Sequence, residues 1–423
     1  MATDRRGFLK AGAAGAALAG LGGCAHMGRP GGASHGRVAV VGGGYGGATA
    51  AKYIKLIDPS IDVVLVEPSE AFVSCPISNM VLGGFRTMAD ITTPYSGLVR
   101  HGVRVVRDSA TAIDMDKKQV RLAHGDPVSF DRVVVSPGVD FMWEALPGMR
   151  SAEAQAKILH AWKAGPQTEQ LRRQLVAMRD GGVFVVTVPM TPYRCPPGPY
   201  ERVCQVAAYF KAHKPRSKII ILDENGDVTS KGPLFKKAWS ELYAGMIEFR
   251  GNSRLVDVDV AAKVAKLEFG DQDADVLNVI PPMKAGNIAA PYITANHRWC
   301  EVDWLTLESK AVKGAHVLGD SLQVAPAMPK SGSMANAHGK VAAAAIVALL
   351  RGEAPNPAPT LINTCYSMVS DKLAIHVTSV HKYDTKDRTF KAVPGGGVSS
   401  AMNEAEGAFN MNWARNIWAD ALL

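Results

Sequence analysis

The chain has 423 residues, 47% of them hydrophobic and 20% charged, with a net charge of +8. That length and balance give two to three globular domains with ample core and exclude a disordered or fibrous chain. Residues 1–33 carry +3 of the charge (Arg5, Arg6, Lys10 and Arg29 against Asp4), and the mild remaining excess does not point to nucleic acid.

Arg5-Arg6-Gly-Phe-Leu-Lys10, followed by a weakly hydrophobic run from Ala11 to Gly23, reads as a twin-arginine signal peptide over residues 1–33. An ordinary Sec n-region is the alternative. The twin-arginine route exports proteins already folded around a cofactor and predicts a periplasmic location. Leu21-Gly-Gly-Cys24 also passes as a lipoprotein box, in competition with cleavage just before Ser34. No stretch reaches the length of a transmembrane span; the longest late candidate, Val341 to Leu350, covers about half of one.

Val38 to Val41 reads as a fully buried strand. Gly42-x-Gly44-x-x-Gly47 follows, with Tyr45 inside it, then a helical run to Asp58-Pro59. A second apolar strand, Ile61 to Val66, ends on Glu67, about twenty residues after Gly47. This is the dinucleotide fingerprint in its strand–turn–helix–strand context. The glycines permit a tight turn and backbone approach to a pyrophosphate, the helix N-terminus supplies N–H donors, and Glu67 suits a ribose 2′-hydroxyl. The fingerprint alone does not choose between FAD and NAD.

The loop from Pro68 to Asn79 carries Cys75 and should lie beside the dinucleotide. A short strand ending at Val106, a hairpin from Ala112 to Leu122, and a strand ending in Ser-Pro137-Gly138 follow. That order matches the FAD-binding half of two-dinucleotide-domain flavoproteins, and adds Val106, Pro137 and Gly138 to the cofactor-binding candidates. A polar helical linker from Ala152 to Arg179 carries Trp162. Gly181 to Val188 then repeats the opening strand signal. A second glycine fingerprint should come next, but the chain reads Pro-Met-Thr-Pro-Tyr-Arg-Cys195-Pro-Pro-Gly-Pro-Tyr-Glu201. Prolines with a single glycine form no pyrophosphate turn. The helix from Arg202 to Ala212 and the strand from Lys218 to Asp223 therefore complete a Rossmann-like unit that has lost NAD(P)H. Asp320 closes a strand from Gly314 and suits a ribityl hydroxyl. Met328-Pro-Lys330-Ser-Gly332 precedes a small-residue helix from Ala335 to Leu349 whose N-terminus should face the flavin. The expected fold is α/β. An FAD-binding domain spans 34–148 and 283–355, a second Rossmann-like domain 149–282, and a C-terminal interface domain 356–423.

Six cysteines include no Cys-x-x-Cys pair, so spacing gives no metal site. Cys204 and Cys300 read as core residues. Cys195 lies in a turn that begins a helix, an electropositive position expected to lower a thiol pKa.

Gly42 to Lys55, Arg194 to Glu201, Met328 to Gly332, Gly339 to Ala344 and Asn363 to Ser367 together make the chain resemble the flavoprotein subunit of flavocytochrome c sulfide dehydrogenase, over nearly the whole mature length. The resemblance implies a glutathione-reductase-like fold and a c-type cytochrome partner. With no Cys-x-x-Cys-His in this chain, haem c would sit on that partner. It also implies that Cys195 and Cys365 form a redox disulfide beside the isoalloxazine, with Cys365 on the flavin side. Cys75 matches the cysteine joined to the flavin by a thioether, although Phe-Val-Ser-Cys-Pro replaces the family's usual Tyr-Thr-Cys-Tyr. The stretch from Lys231 to Phe249 looks shortened, which predicts a changed surface loop rather than a changed site.

The mechanism expected on this basis is hydrosulfide attack on the disulfide, giving a persulfide and a thiolate. Electrons then pass to the flavin and on to the haem. Glu201 is the candidate acid/base, or else a first-turn carboxylate favoured by the helix dipole. Lys330 and the helix start near Ala335 would stabilise negative charge on the reduced flavin. The nearest rival is a sulfide:quinone oxidoreductase, with Trp413, Ile417, Trp418, Leu422 and Leu423 as a membrane patch. A non-catalytic flavin-binding subunit is disfavoured by the intact cysteine pair, and an NAD(P)H-dependent disulfide reductase by the missing second fingerprint.

Overall fold

Strand Arg37–Val41 pairs in parallel with Asp62–Val66 on one side and Arg132–Val135 on the other. In the computed structural model, which describes residues 35–423, these form the middle of a seven-stranded sheet. Arg104–Val106 extends it at one edge and Ala315–Val317 at the other, both in parallel; two short antiparallel strands, Glu308–Ser309 and Val302–Asp303, finish it. Val38, Ala39 and Val40 are completely buried, as a strand covered on both faces requires. The signal-peptide reading, with Arg5, Arg6 and Cys24, falls outside the described residues.

Helix Tyr45–Ile57 covers one face, and helix Gly332–Leu350 packs directly on it. The close approach needs small residues: a β-carbon at Gly339 would stand 2.6 Å from the Gly46 carbonyl oxygen. The second helix starts three residues earlier than expected, because Ser331 caps it by accepting the Met334 N–H at 3.0 Å. Its 19 residues, at a mean hydropathy of 1.3, make it the one helix among the described residues long and apolar enough to cross a membrane. The sequence reading found only half a span there. With 56% of that window buried inside the protein, it packs as a core helix.

A second, wholly parallel sheet has the order Ile247–Arg250, Lys218–Asp223, Val183–Val188, Val276–Val279. Helix Gly198–His213 connects its two central strands. The expected continuous linker is broken instead into helices Ala152–Lys157 and Pro166–Ala177. Gly165, at φ +156°, and Pro166 at the first helical position set the break. Between the two helices, residues 158–165 form a strap that carries His160, Ala161 and Trp162 inward.

Strands Thr360–Met368, Ala374–Asp384 and Thr389–Val398 make an antiparallel meander. Helix Glu404–Leu422 follows, capped by Asn403, and returns to the first dinucleotide helix. Lys52 Nζ donates to the carbonyls of Ala419 and Asp420. Asp420 in turn accepts from Tyr53 Oη at 2.6 Å and Asn336 Nδ2 at 2.8 Å, and pairs with Lys340. Trp418 Nε1 donates to Tyr45 Oη at 3.0 Å. Ile417, Trp418 and Leu422 are thereby buried, while Phe409 and Leu423 stay exposed.

Candidate functional site

A cavity of about 600 Å³ runs from the glycine turn of the first sheet to the start of helix Gly198–His213. At the turn, Gly42 has φ +98°, and a β-carbon there would lie 2.4 Å from the Ser136 carbonyl oxygen. One at Gly47 would lie 1.9 Å from the Gly42 carbonyl oxygen. The protein itself demands glycine at both positions. Gly44 is different: nothing stands within 4 Å of a β-carbon there, it opens on the cavity, and it is the N-cap of a helix with no side-chain cap. The first N–H groups of that helix are therefore available to an anionic ligand. Gly44→Ala is expected to leave the melting temperature of flavin-free protein unchanged while lowering flavin content. Equal losses in both would show that the turn, not a ligand, needs this glycine.

Glu67 lines the same end, and its two oxygens accept the Gly43 N–H at 2.8 Å and the Ser69 N–H at 2.9 Å. A carboxylate retains further lone pairs for a ribose hydroxyl. Tyr45, Pro137, Gly138 and Asp320 also line the cavity. Two polar atoms in its wall, Asp320 Oδ1 and Asn410 Nδ2, are buried with no hydrogen-bond partner among the described residues. Orphaned buried groups cost free energy unless a ligand satisfies them. An acceptor at Asp320 fits the hydroxylated chain of FAD, and the open Gly44 turn fits its pyrophosphate.

Three of the expected cofactor residues do not line the cavity. Gly47 acts only through the turn. Val106 gives its carbonyl to the Glu67 N–H, and Ser109 and Ala110 form the wall beyond it. Lys330 is buried with its ammonium turned away, donating to the carbonyls of Asp320 (2.9 Å) and Leu322 and lying 3.5 Å from the Trp299 ring centre. Burial lowers its pKa to about 7. Its role is to fix the Asp320 loop and, through its own carbonyl, the Cys195 N–H at 2.9 Å.

At the other end the cavity is lined by Cys75, Cys195, Glu201 and Cys365. Cys195 sits in a tight turn at φ +59°, just ahead of helix Gly198–His213. Glu201, in the first turn of that helix, accepts the Met368 N–H at 2.9 Å through one oxygen and Asn79 Nδ2 at 2.8 Å through the other. Met368 ends the strand that carries Cys365. One buried carboxyl thus ties the helix behind Cys195 to the strand of Cys365 and to the loop of Cys75. Gln205, one turn on, repeats the link through the Met368 and Ser370 carbonyls.

None of the five described cysteines is bridged to another, and Cys204 and Cys300 are completely buried core residues. The expectation of a lowered pKa at Cys195 is overturned. Burial pushes that thiol well up, and the neighbouring Cys365 and Glu201 add to the rise against Arg194 and Lys231. Desolvation outweighs the helix start. Burial likewise raises the Glu201 carboxyl, opposed by its Asn79 and Met368 hydrogen bonds. Cys75 Sγ lies 3.4 Å from Arg194 Nη2 and 3.4 Å from the Ala164 N–H. Among the described residues no group of three or more His, Cys, Asp or Glu side chains is placed to hold a metal ion.

Residues 168–281 match the family described as the sulfide dehydrogenase (flavocytochrome c) flavoprotein chain, central, and residues 357–422 match the flavocytochrome c sulphide dehydrogenase, flavin-binding family. Residues 36–185 match the pyridine nucleotide-disulphide oxidoreductases. The flavocytochrome c sulfide dehydrogenase flavoprotein chain of Chlorobaculum thiosulfatiphilum is 67% identical over 45 residues, 11% of this chain and 94% of that sequence. The chain belongs to the flavocytochrome c sulfide dehydrogenase flavoprotein family.

A more distant relative, the mitochondrial sulfide:quinone oxidoreductase of Dictyostelium discoideum, is 26% identical over 297 residues. That match spans 67% of this chain and 65% of the relative's own length. Among solved structures, the sulfide:quinone oxidoreductase of Aquifex aeolicus superposes with a TM-score of 0.71 over 91% of both chains at 16% identity, which establishes a shared fold.

Within this flavoprotein frame, several residues escaped the sequence reading. Arg202 is almost fully buried and donates to the carbonyls of His160 (2.8 Å) and Ala161 (2.6 Å), to Asn278 Oδ1 (2.7 Å) and to Asn79 Oδ1 (3.2 Å). Its guanidinium lies 4.8 Å from the Trp162 ring centre, and Trp162 lines the cavity. Arg194, Asn410 and Tyr366 line it as well. Arg194 and Arg202 flank the Cys-Pro-Pro motif in sequence, which was the available signal. Lys231 is buried behind Cys365 rather than on a surface loop.

Proposed function

We propose that this chain is the FAD-dependent subunit of a periplasmic sulfide dehydrogenase that hands electrons to a c-type cytochrome partner carrying haem c. The observation that supports it most is that Cys195 and Cys365, from distant parts of the chain, line one cavity that also reaches a dinucleotide turn. Family membership supports the same reading. In its oxidised state the pair is a disulfide. Hydrosulfide attacks Cys195 Sγ; the new sulfur–sulfur bond forms as the old one breaks, leaving a persulfide on Cys195 and a thiolate on Cys365. FAD, when bound, takes electrons in pairs and releases them singly. Glu201, within the same buried cluster, is the group that exchanges protons with the sulfur end. Asp320 and Glu67 hold the ribityl and ribose hydroxyls, and Cys75 forms the covalent link.

Anaerobic addition of sulfide to the holoprotein is the test: the flavin should bleach, and oxidised cytochrome c should then restore it. Unbleached flavin would sink the proposal and leave a non-catalytic flavin subunit. Cys75→Ser should turn acid-precipitated protein from yellow to colourless; a pellet that stays yellow would place the covalent link elsewhere.

A sulfide:quinone oxidoreductase is the second reading, favoured by the relatives that match across two thirds of the chain. Against it, three of the five residues that would form its membrane patch, Ile417, Trp418 and Leu422, pack inward, while Trp413 is half-buried and Leu423 exposed. Faster reduction of a quinone analogue than of cytochrome c would decide for it.

A further inference from the structure

Behind the strand that carries Cys365 lies a buried cation with no part in the scheme above. Lys231 is 7% exposed and immediately precedes helix Gly232–Leu242. Its ammonium donates to the Cys365 carbonyl oxygen at 3.0 Å and to Ser367 Oγ at 2.7 Å. No carboxylate is bonded to it among the described residues, so burying it brings a desolvation cost that no ion pair returns. The nearby groups able to bear negative charge are the two sulfurs, Glu201 from helix Gly198–His213, and Glu406 from helix Glu404–Leu422. Glu406 already pairs with His376 at 2.7 Å, and both Glu201 oxygens accept other donors. Arg194 is the other cation that acts on Cys195. On Cys365, Lys231 is the cation that opposes burial.

We propose that Lys231 is the counter-cation of the cysteine pair, a positioning residue that lets the Cys365 sulfur depart as a thiolate inside a desolvated site. The inference rests on reading Cys195 and Cys365 as the redox pair. When hydrosulfide bonds to Cys195 Sγ, the electron pair of the broken disulfide remains on Cys365 Sγ, and the hydrosulfide proton stays on the persulfide. The new negative charge then appears on the residue whose own carbonyl Lys231 holds, so the ammonium is in place before the charge develops. Ser367 keeps the long side chain from swinging away.

The test uses the full holoprotein, reduced with dithiothreitol and alkylated with iodoacetamide across a pH series, with the Cys365 peptide quantified by mass spectrometry. Lys231→Met should move the midpoint for Cys365 alkylation upward by about one to three pH units. Lys231→Arg should stay near wild type, and Ser367→Ala should move the midpoint in the same direction by less. Wild-type midpoints in both Lys231→Met and Ser367→Ala overturn the proposal. Should Lys231→Met fail to fold, Ser367→Ala against wild type decides it. A non-reducing peptide map of untreated protein is read separately. Absence of a Cys195–Cys365 disulfide there overturns the pair reading, while the alkylation profile still decides whether Lys231 sets the state of Cys365.

Discussion

Cys365→Ser is expected to slow sulfide-dependent flavin bleaching by roughly 10³-fold or more, a barrier increase of about 4 kcal/mol, with flavin content close to wild type. An oxygen at this position makes no bond to Cys195 that hydrosulfide can cleave, so no thiolate is released. The substitution changes one atom on a strand held by its ladder to Ala374–Asp384 and by the side chains of Glu201, Gln205 and Lys231. Loss of activity should therefore come without loss of fold. Stopped-flow anaerobic mixing with sulfide measures it, with absorbance of the oxidised flavin as the internal control. A variant that bleached at nearly the wild-type rate would remove the pair from turnover.

Arg202→Met should have the largest effect on stability, about 3–5 kcal/mol. The guanidinium is buried with no carboxylate bonded to it among the described residues and serves four acceptors on three separate segments: Asn79, the strap carrying His160 and Ala161, and Asn278. Burial drags its pKa down to about 9, and the cysteines and Glu201 pull the other way. Methionine fills much of the volume and supplies no donor, so Asn79 Oδ1, Asn278 Oδ1 and the Ala161 carbonyl lose their partner at about 1–3 kcal/mol each, while the His160 carbonyl keeps its bond from Asn278 Nδ2 at 3.0 Å. Removing a desolvated charge offsets part of that. Urea unfolding monitored by circular dichroism measures the loss. Because Asn79 also bonds Glu201, sulfide turnover should fall together with stability. An unchanged midpoint would mean that water replaces the guanidinium.

The pH dependence attached to Glu201 has a definite sign. Burial raises its folded-state pKa above that of the unfolded chain, with its hydrogen bonds opposing. The contribution to stability is complete below the unfolded value and is lost as pH rises through the folded one.

How far the sequence reached depended on whether the chemistry was local. The glycine turn was legible because its three glycines, the following helix and Glu67 are fixed by spacing along one short stretch. The second sheet was legible for the same reason, since Val183–Val188 repeats the first strand. Val106 is expected at the cofactor from the order of the strands and Lys330 from its place before a helix facing the flavin, but neither pattern gives the placement of a side chain, and neither residue lines the cavity. Cys195 was assigned a lowered pKa from its place before a helix; the sequence does not show the burial that reverses it. Arg202 stood next to a legible motif, but its partners, like those of Lys231, lie far off in the chain, and Trp162 sits on a strap that reads as continuous helix. Only the closed fold brings these residues to the sulfur end.

The bond from Trp418 to Tyr45 has a consequence for the order in which the molecule is built. Tyr45 belongs to the turn at one end of the cavity, and its hydroxyl also meets Ser74 Oγ at 2.7 Å. Its partner on helix Glu404–Leu422 is synthesised 373 residues later. On the ribosome, a glycine turn that has emerged and folded still lacks the wall supplied by Asn410 and Trp413 and the bond from Trp418 to Tyr45. Flavin capture is therefore expected late in the biogenesis of this protein, and a chain cut short before residue 404 should lose its colour before it loses its first sheet.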